Sequence, residues 1–277
     1  MDGSSKDGRM RGSTSNVTRL GAGRQRSAQF SPEEWNARVE LAAAYRLCAI
    51  MGWTDMISTH LSCRVPGYHD QFLINPYGLM FEEMTASALV RIDVDGNKLS
   101  ESPYGVNRAG FVIHSAVHMG REDAYCVMHL HTHYGTAVSM QKKGLLPLSQ
   151  QALTVMSLLK YHDYEGVAFD TAERERLLAD LGSDGAMMIL RNHGVLTLGE
   201  TVGEAFARMN RLERACRLQV LALAGGAEPN PVKPEVVEHA MEQGPQIYGK
   251  GGQSAGGKLV WEALLRKLDR ESPGYDQ

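Results

Sequence analysis

Val127-Met128-His129-Leu130-His131-Thr132-His133 is an apolar run that gives way to alternating histidines. Read with Tyr125 and Cys126 before it, the run is a strand, and on a strand every second side chain shares a face. His129 and His131 therefore point the same way, with ring nitrogens within reach of one metal ion. His133 continues the alternation if the strand extends that far. Each imidazole brings two polar nitrogens that must be satisfied, so alternating histidines are costly as core filler. The competing reading is a row of hydrogen-bonded surface histidines.

The flanks place this strand in a sheet. Asn107 to Met119 reads as a helix just before it, and residues 171 to 181 as a polar helix after it. Ala186–Leu190 and Val195–Leu198 read as two strands joined by Arg191-Asn192-His193-Gly194. A histidine in such a turn is held by a rigid strand, a frequent position for ligands and catalytic groups. Thr201-Val202-Gly203-Glu204 is a capping box that opens an amphipathic helix to about Leu223. Upstream, Ser31-Pro32-Glu33-Glu34 starts a helix that runs to Gly52. Thr59 to Val65 and Gln71 to Ile74 alternate like strands around Pro66-Gly67, and Asn75-Pro76-Tyr77-Gly78 is a turn by composition. Leu89 to Val94 is a further strand. An apolar stretch with Ala152, Leu153, Val155, Met156, Leu158 and Leu159 reads as one helix near the site, or as core. The expected organisation is a basic, disordered tail over 1–29, one α/β domain over 30–226, and a Pro/Gly-rich extension over 227–277 with a short helix at Leu259–Leu268.

Composition excludes several classes. The chain has 277 residues, 43% hydrophobic and 22% charged, enough for a sizeable core. A net charge of −3 argues against nucleic acid as the main partner. No apolar run approaches the roughly 18 residues that span a bilayer, and the N-terminus lacks a secretory h-region. The four cysteines, without a CxxC pair, read as buried thiols in a reducing cytoplasm. There is no GxGxxG, GxxxxGK[ST] or GxSxG, which speaks against dinucleotide, phosphate-loop and hydrolase-elbow chemistry. His114 and His118 have the helical i, i+4 spacing, but Ser115 stands where an HExxH motif has glutamate. His114 is expected beside the site and His118 on a packed or exposed helix face.

The segments Thr59-His60-Leu61-Ser62-Cys63-Arg64-Val65, Ile74-Asn75-Pro76-Tyr77-Gly78, Val127-Met128-His129-Leu130-His131 and Asn192-His193-Gly194-Val195-Leu196 occur in an order that resembles the class II aldolase/adducin family. The resemblance covers about residues 34 to 226. Gly144 to Ser149 and Tyr161 to Gly166 are similar to its adducin-type branch. It implies a three-layer α/β/α domain with a central mixed, mainly antiparallel sheet, and a homotetramer with sites at subunit contacts. It also implies one divalent metal per subunit, held by His129, His131 and His193, with His133 not a ligand. By the same resemblance His60, Asn75, Tyr77, Gly78 and Gln151 line the substrate.

Departures from the family pattern shape the functional expectation. Gly110 falls where the sugar-phosphate aldolases carry their catalytic glutamate, and Arg108 and Ala109 fall where they carry phosphate-binding serines. Gln151 falls at their tyrosine proton donor. The metal ligands are kept while the aldol base and phosphate pocket are lost, so a phospho-sugar aldolase is not expected. Arg108 suits the carboxylate of a small acid if its side chain turns inward, the competing reading being an exposed arginine at a helix start, and His114 is the second candidate catalytic residue. The expected activity is metal-dependent cleavage of a C–C bond next to a carbonyl in a 2-oxo or 2-hydroxy acid. The favoured form is Fe(II)-dependent oxidative decarboxylation of an aryl 2-oxo acid with O2, similar to the aminocoumarin-pathway oxygenases of this family; Zn(II) or Mn(II) are the other metals. The alternatives are a lyase acting on a non-phosphorylated substrate and a non-catalytic adducin-like binding module.

Overall fold

The computed structural model describes residues 29–166, 173–226, 228–248 and 257–277, with only the backbone of 108–110. All but the last residue of the expected basic tail lies outside the described residues. Helix α1 (Pro32–Ile50) begins where Ser31 accepts a hydrogen bond from the Glu34 amide at 3.1 Å. Only half of the expected capping box forms, because the Glu34 carboxylate turns instead to Arg38 and Arg91. Strands β1 (His60–Arg64), β2 (Gln71–Ile74) and β3 (Val90–Asp93) form an antiparallel meander. Helix α2 (Arg108–Gly120) leads into β4 (Cys126–Leu130), which ends before His131. His133 opens a short helix, α3 (His133–Ser139), so the strand alternation stops before it.

The next segment departs from the sequence reading. The expected single apolar helix is a short α4 (Gln150–Met156) followed by strand β5 (Leu159–His162). The apolar run continues unbroken from one into the other, which hides the boundary. Ala152, Val155, Leu158 and Leu159 belong to the main core. Then come α5 (Glu173–Leu181), β6 (Met187–Leu190), β7 (Gly194–Gly199) and α6 (Val202–Leu223). Among the described residues, those beyond 227 carry two helices rather than one: α7 (Pro234–Tyr248) and α8 (Lys258–Glu271). Gly244 inside α7 lets that helix press onto α4, since a Cβ there would lie 2.6 Å from the Thr154 carbonyl. Trp261 and Leu268 of α8 join the main core, so the extension packs as part of the domain.

The seven strands form one sheet in the order β3-β2-β1-β4-β7-β6-β5, antiparallel except for the β5–β6 pair. Alternation assigns its faces. Leu61, Cys63, Cys126, Met128, Ile189 and Val195 pack with α1 and α6 on one side. Phe72, Ile74, Val127, Met188, Leu196 and Leu198 pack with α2 and α5 on the other. This is the α/β/α architecture with a mixed, mainly antiparallel sheet. His60 and Ser62 alternate with Leu61 and Cys63, and His129 alternates with Met128. All three therefore face α2, and His60 pairs directly with His129 across the sheet. The four cysteines are buried free thiols. Among the described residues no helix is long and apolar enough to cross a membrane.

Candidate metal centre

Two chain segments meet at the centre. His129 and His131 come from the end of β4, and His193 from the turn between β6 and β7. Asn192 precedes His193 with φ of 57°, a left-handed conformation that asparagine tolerates better than most residues. Its amide reaches Ser139 O at 3.1 Å, and the His193 amide reaches Leu190 O at 3.1 Å, which fixes the turn. One ring nitrogen from each of His129, His131 and His193 lies within 4.8 Å of the others.

The rings are oriented as metal ligands are. His129 Nδ1 donates to Val195 O at 3.2 Å, and His131 Nδ1 donates to Asp55 Oδ2 at 2.9 Å. A proton held on Nδ1 leaves Nε2 as the bare donor atom, the arrangement that orients histidine ligands in metal sites. His131 Nε2 is buried and has no hydrogen-bond partner in the structure. Burial pushes the His129 imidazole well below its ordinary range, with His193, His60 and His131 adding to the shift. His193 is pushed down to about 4, again chiefly by burial. Neutral imidazoles are the form that binds a metal. The residues present therefore fit a divalent ion bound by nitrogen, with open positions for a ligand.

Three comparisons with known proteins bear on this geometry. Residues 39–220 match the family model described as "Class II Aldolase and Adducin N-terminal domain". A Pseudomonas aeruginosa protein that carries the provisional name aldolase class 2 protein is 53% identical over 250 residues, covering 90% of this chain and 95% of that one. The chain belongs to the class II aldolase and adducin family. Rat alpha-adducin is 40% identical over 254 residues, 88% of this chain, which spans only 34% of that adducin's length. A crystal structure of an aldolase II superfamily protein from Pseudomonas syringae superposes with a TM-score of 0.85 at 48% identity, covering 91% of this chain and 99% of that one. The L-fuculose 1-phosphate aldolase of Glaciozyma antarctica gives 0.72 at 26% identity, covering 88% and 95%.

Within this family chain the other expected site residues separate. His60 lies beside the centre, its ring centroid 5.7 Å from that of His129. His114 lies behind it, 4.4 Å from His60. Asn75 is buried with Oδ1 2.8 Å from the Tyr45 hydroxyl, tying α1 to the sheet. Tyr77 is exposed, and Gly78 with φ of 120° packs against the Tyr104 ring. Gln151 lines a separate cavity of about 400 Å³ with Arg214, Leu218 and Gln219, which none of the three histidines borders. Within this chain Gln151 thus stands apart from the centre, because α4 packs on the opposite side of the sheet from α2. The side chain of Arg108 lies outside the described residues, as does that of Gly110's neighbour Ala109. No carboxylate joins the three histidines among the described residues.

Sequence reading missed three contributors. Asp55 holds His131 from 76 positions away, and no local pattern marks it. Thr59, a β-branched residue at φ of 68°, is strained where its chain enters β1 at His60. Ser62 bridges His114 Nδ1 at 2.6 Å and His118 Nε2 at 2.7 Å. His118 was expected on a packed or exposed face; it is fully buried, with Nδ1 2.8 Å from Ala124 O.

Buried His118 predicts a pH effect. Burial pushes it down to about 3, against the pull of the Ala124 carbonyl, and Arg64 adds to the depression. An unfolded histidine titrates near about 6.5, so between those values the unfolded chain holds a proton that the folded one refuses. Stability from this group is complete above about 6.5 and is lost as the pH falls towards 3. His118→Asn should flatten the plot of unfolding free energy against pH in that window by up to about 1.4 kcal/mol per pH unit. Urea melts between pH 6.5 and 4 measure it, and an unchanged slope would show that His118 protonates in the folded state.

Proposed function

We propose that this protein is a metal-dependent lyase that makes or breaks a C–C bond beside the carbonyl of a small, non-phosphorylated hydroxy or oxo carboxylic acid. The observation that carries the reading is the convergence of three imidazoles, two with Nδ1 facing an acceptor, with no carboxylate in the cluster itself. A divalent ion at His129, His131 and His193 would act as a Lewis acid on a chelating substrate. Asp55 and the Val195 carbonyl hold two of its ligands in the binding tautomer. His60 and His114 form the wall on the α2 side. Arg108, at the start of α2, takes the substrate carboxylate in this reading, and small-molecule binding is completed at subunit contacts of a homotetramer in the cytoplasm.

The Fe(II) and O2 reaction expected from the missing glutamate has no counterpart in the names of the relatives described above, whereas lyases do; the lyase reading is therefore preferred. The 40% identity with alpha-adducin favours one second reading, a binding module. The test is anaerobic reconstitution with Zn(II), Mn(II) or Fe(II), followed by assays on 2-oxo acids, 2-hydroxy acids, hydroxy-aldehydes and phosphorylated sugars, with O2 uptake recorded after air is admitted. Metal-dependent cleavage of unphosphorylated acids without O2 uptake is expected. Turnover confined to phosphorylated sugars, or O2 consumed in step with substrate, overturns the lyase proposed here. Stoichiometric metal with no turnover on any of them favours the binding module. Arg108→Ala should raise KM for an acidic substrate roughly 10–100-fold, the scale of a charged hydrogen bond, with metal content unchanged.

A further inference from the structure

Ser62, His114 and His118 form a hydrogen-bonded chain whose proton positions follow from its end groups. The Ala124 carbonyl can only accept, so His118 Nδ1, 2.8 Å away, carries its proton. His118 is fully buried beside the Phe72 ring and is neutral, so its Nε2 is a bare acceptor. Ser62 Oγ lies 2.7 Å from that nitrogen and must donate its only proton to it. Ser62 then has lone pairs alone to offer His114 Nδ1 at 2.6 Å, so His114 carries its proton on Nδ1. Its other nitrogen, Nε2, is left bare. That atom is fully buried and has no hydrogen-bond partner, in a ring 4.4 Å from His60. His60 in turn sits directly across the sheet from His129.

An orphaned buried acceptor is costly, and it favours whatever brings a donor to it. We infer that Ser62 and His118 lock His114 in its Nδ1–H tautomer, so that Nε2 accepts a hydrogen bond from a ligand hydroxyl at the metal centre, which selects 2-hydroxy acids over 2-oxo acids. The selectivity rests on the metal-centre reading above; the lock rests only on the hydrogen bonds. A 2-oxo oxygen has no proton to give and leaves Nε2 unsatisfied, whereas the 2-hydroxyl pairs with it. Sites built around such a pairing reject analogues that lack the donor. Ser62 and His118 are positioning residues here, acting through His114.

Two measurements on the full chain test this. In the first, long-range 1H–15N correlation spectra of the 15N-histidine-labelled, metal-free protein report each ring's tautomer, with His114→Gln and His118→Gln assigning the signals. Both rings should be Nδ1–H in the wild type, and Ser62→Ala should release His114 to a tautomer mixture while His118 stays Nδ1–H. An Nε2–H form of His114 in the wild type overturns the lock. In the second, calorimetry on the zinc-loaded protein compares mandelate with benzoylformate. Mandelate should bind roughly tenfold or more tightly, and Ser62→Ala should bring the ratio near one with zinc content unchanged. A merely structural role for Ser62 would weaken both ligands alike and leave the ratio intact. Equal binding by the wild type, or preference for benzoylformate, overturns the selectivity. Failure to bind zinc at all, with the tautomers as expected, overturns the metal-centre reading and the selectivity together and leaves the lock standing.

Discussion

Replacing His193 with alanine should strip the metal from the centre. His193 is the only proposed ligand in the β6–β7 turn; His129 lies in β4 and His131 just past its end. Without it, two imidazoles remain, and no neighbouring carboxylate stands in among the described residues. The loss should exceed the roughly 10–100-fold that follows removal of a group behind a ligand. Asp55→Ala provides that comparison, because the Asp55 carboxylate holds His131 Nδ1 and its removal leaves all three histidines in place. Dialysis against a graded chelator, with metal measured by mass spectrometry, should therefore order the proteins as wild type, Asp55→Ala, then His193→Ala. The fold should persist, since His193 belongs to no core cluster and its removal opens no apolar cavity. Stoichiometric metal of wild-type affinity in His193→Ala would sink the assignment.

How far the sequence reached depended on whether a local signal existed. Strand β4 and the turn before β7 were legible because alternation and an Asn-His-Gly turn are short-range patterns. Helices α1 and α6 were legible from their caps, Ser31 and Thr201, both of which accept the expected amide. Strand β5 was not, because Leu158 and Leu159 extend the apolar run of α4 and the change of period falls inside it. Helix α7 was masked by Gly244 and Pro245, residues that argue against a helix unless close packing explains the glycine. At the site, strand alternation singled out His129 and His131, the Asn-His-Gly turn singled out His193, and the family resemblance joined the three; the structure brings them together. The groups that orient them were not: a carboxylate and a backbone carbonyl reach His131 and His129 through tertiary structure, not through spacing. Ser62 lay nearer to hand, because it sits two residues after His60 and so shares its face. Gln151 is a different case, since position along a family pattern placed it at the substrate while within this chain the sheet separates it from the three histidines.

Gly194→Ala is the substitution expected to couple stability to the metal most directly. Gly194 follows His193 and begins β7, so its position is set by the same turn that delivers the third ligand. A Cβ there would stand 2.6 Å from the Leu130 carbonyl, 3.0 Å from His131 Cδ2 and 3.5 Å from His129 Cε1. The first neighbour is backbone and cannot swing aside: Leu130 pairs with Val195 in the β4–β7 ladder, and Gly194 itself pairs with Leu190. Relief must come from spreading the two strands or from pushing His131 off Asp55. Overpacking of this kind costs about 1–3 kcal/mol, which for a domain of this size lowers Tm by roughly 2–10 °C. The displaced imidazole should also weaken metal binding by at least tenfold, since the ligand geometry is disturbed along with its support. Gly105→Ala is the control, because a Cβ at Gly105 meets nothing within 4 Å; its effect should stay within about 0.5 kcal/mol. Melting curves of the metal-free and zinc-loaded forms separate the two consequences. A Gly194→Ala protein that loses stability yet keeps wild-type zinc affinity would show that the histidines are held independently of the β7 entry. One that keeps both would mean the strands have room the structure does not show.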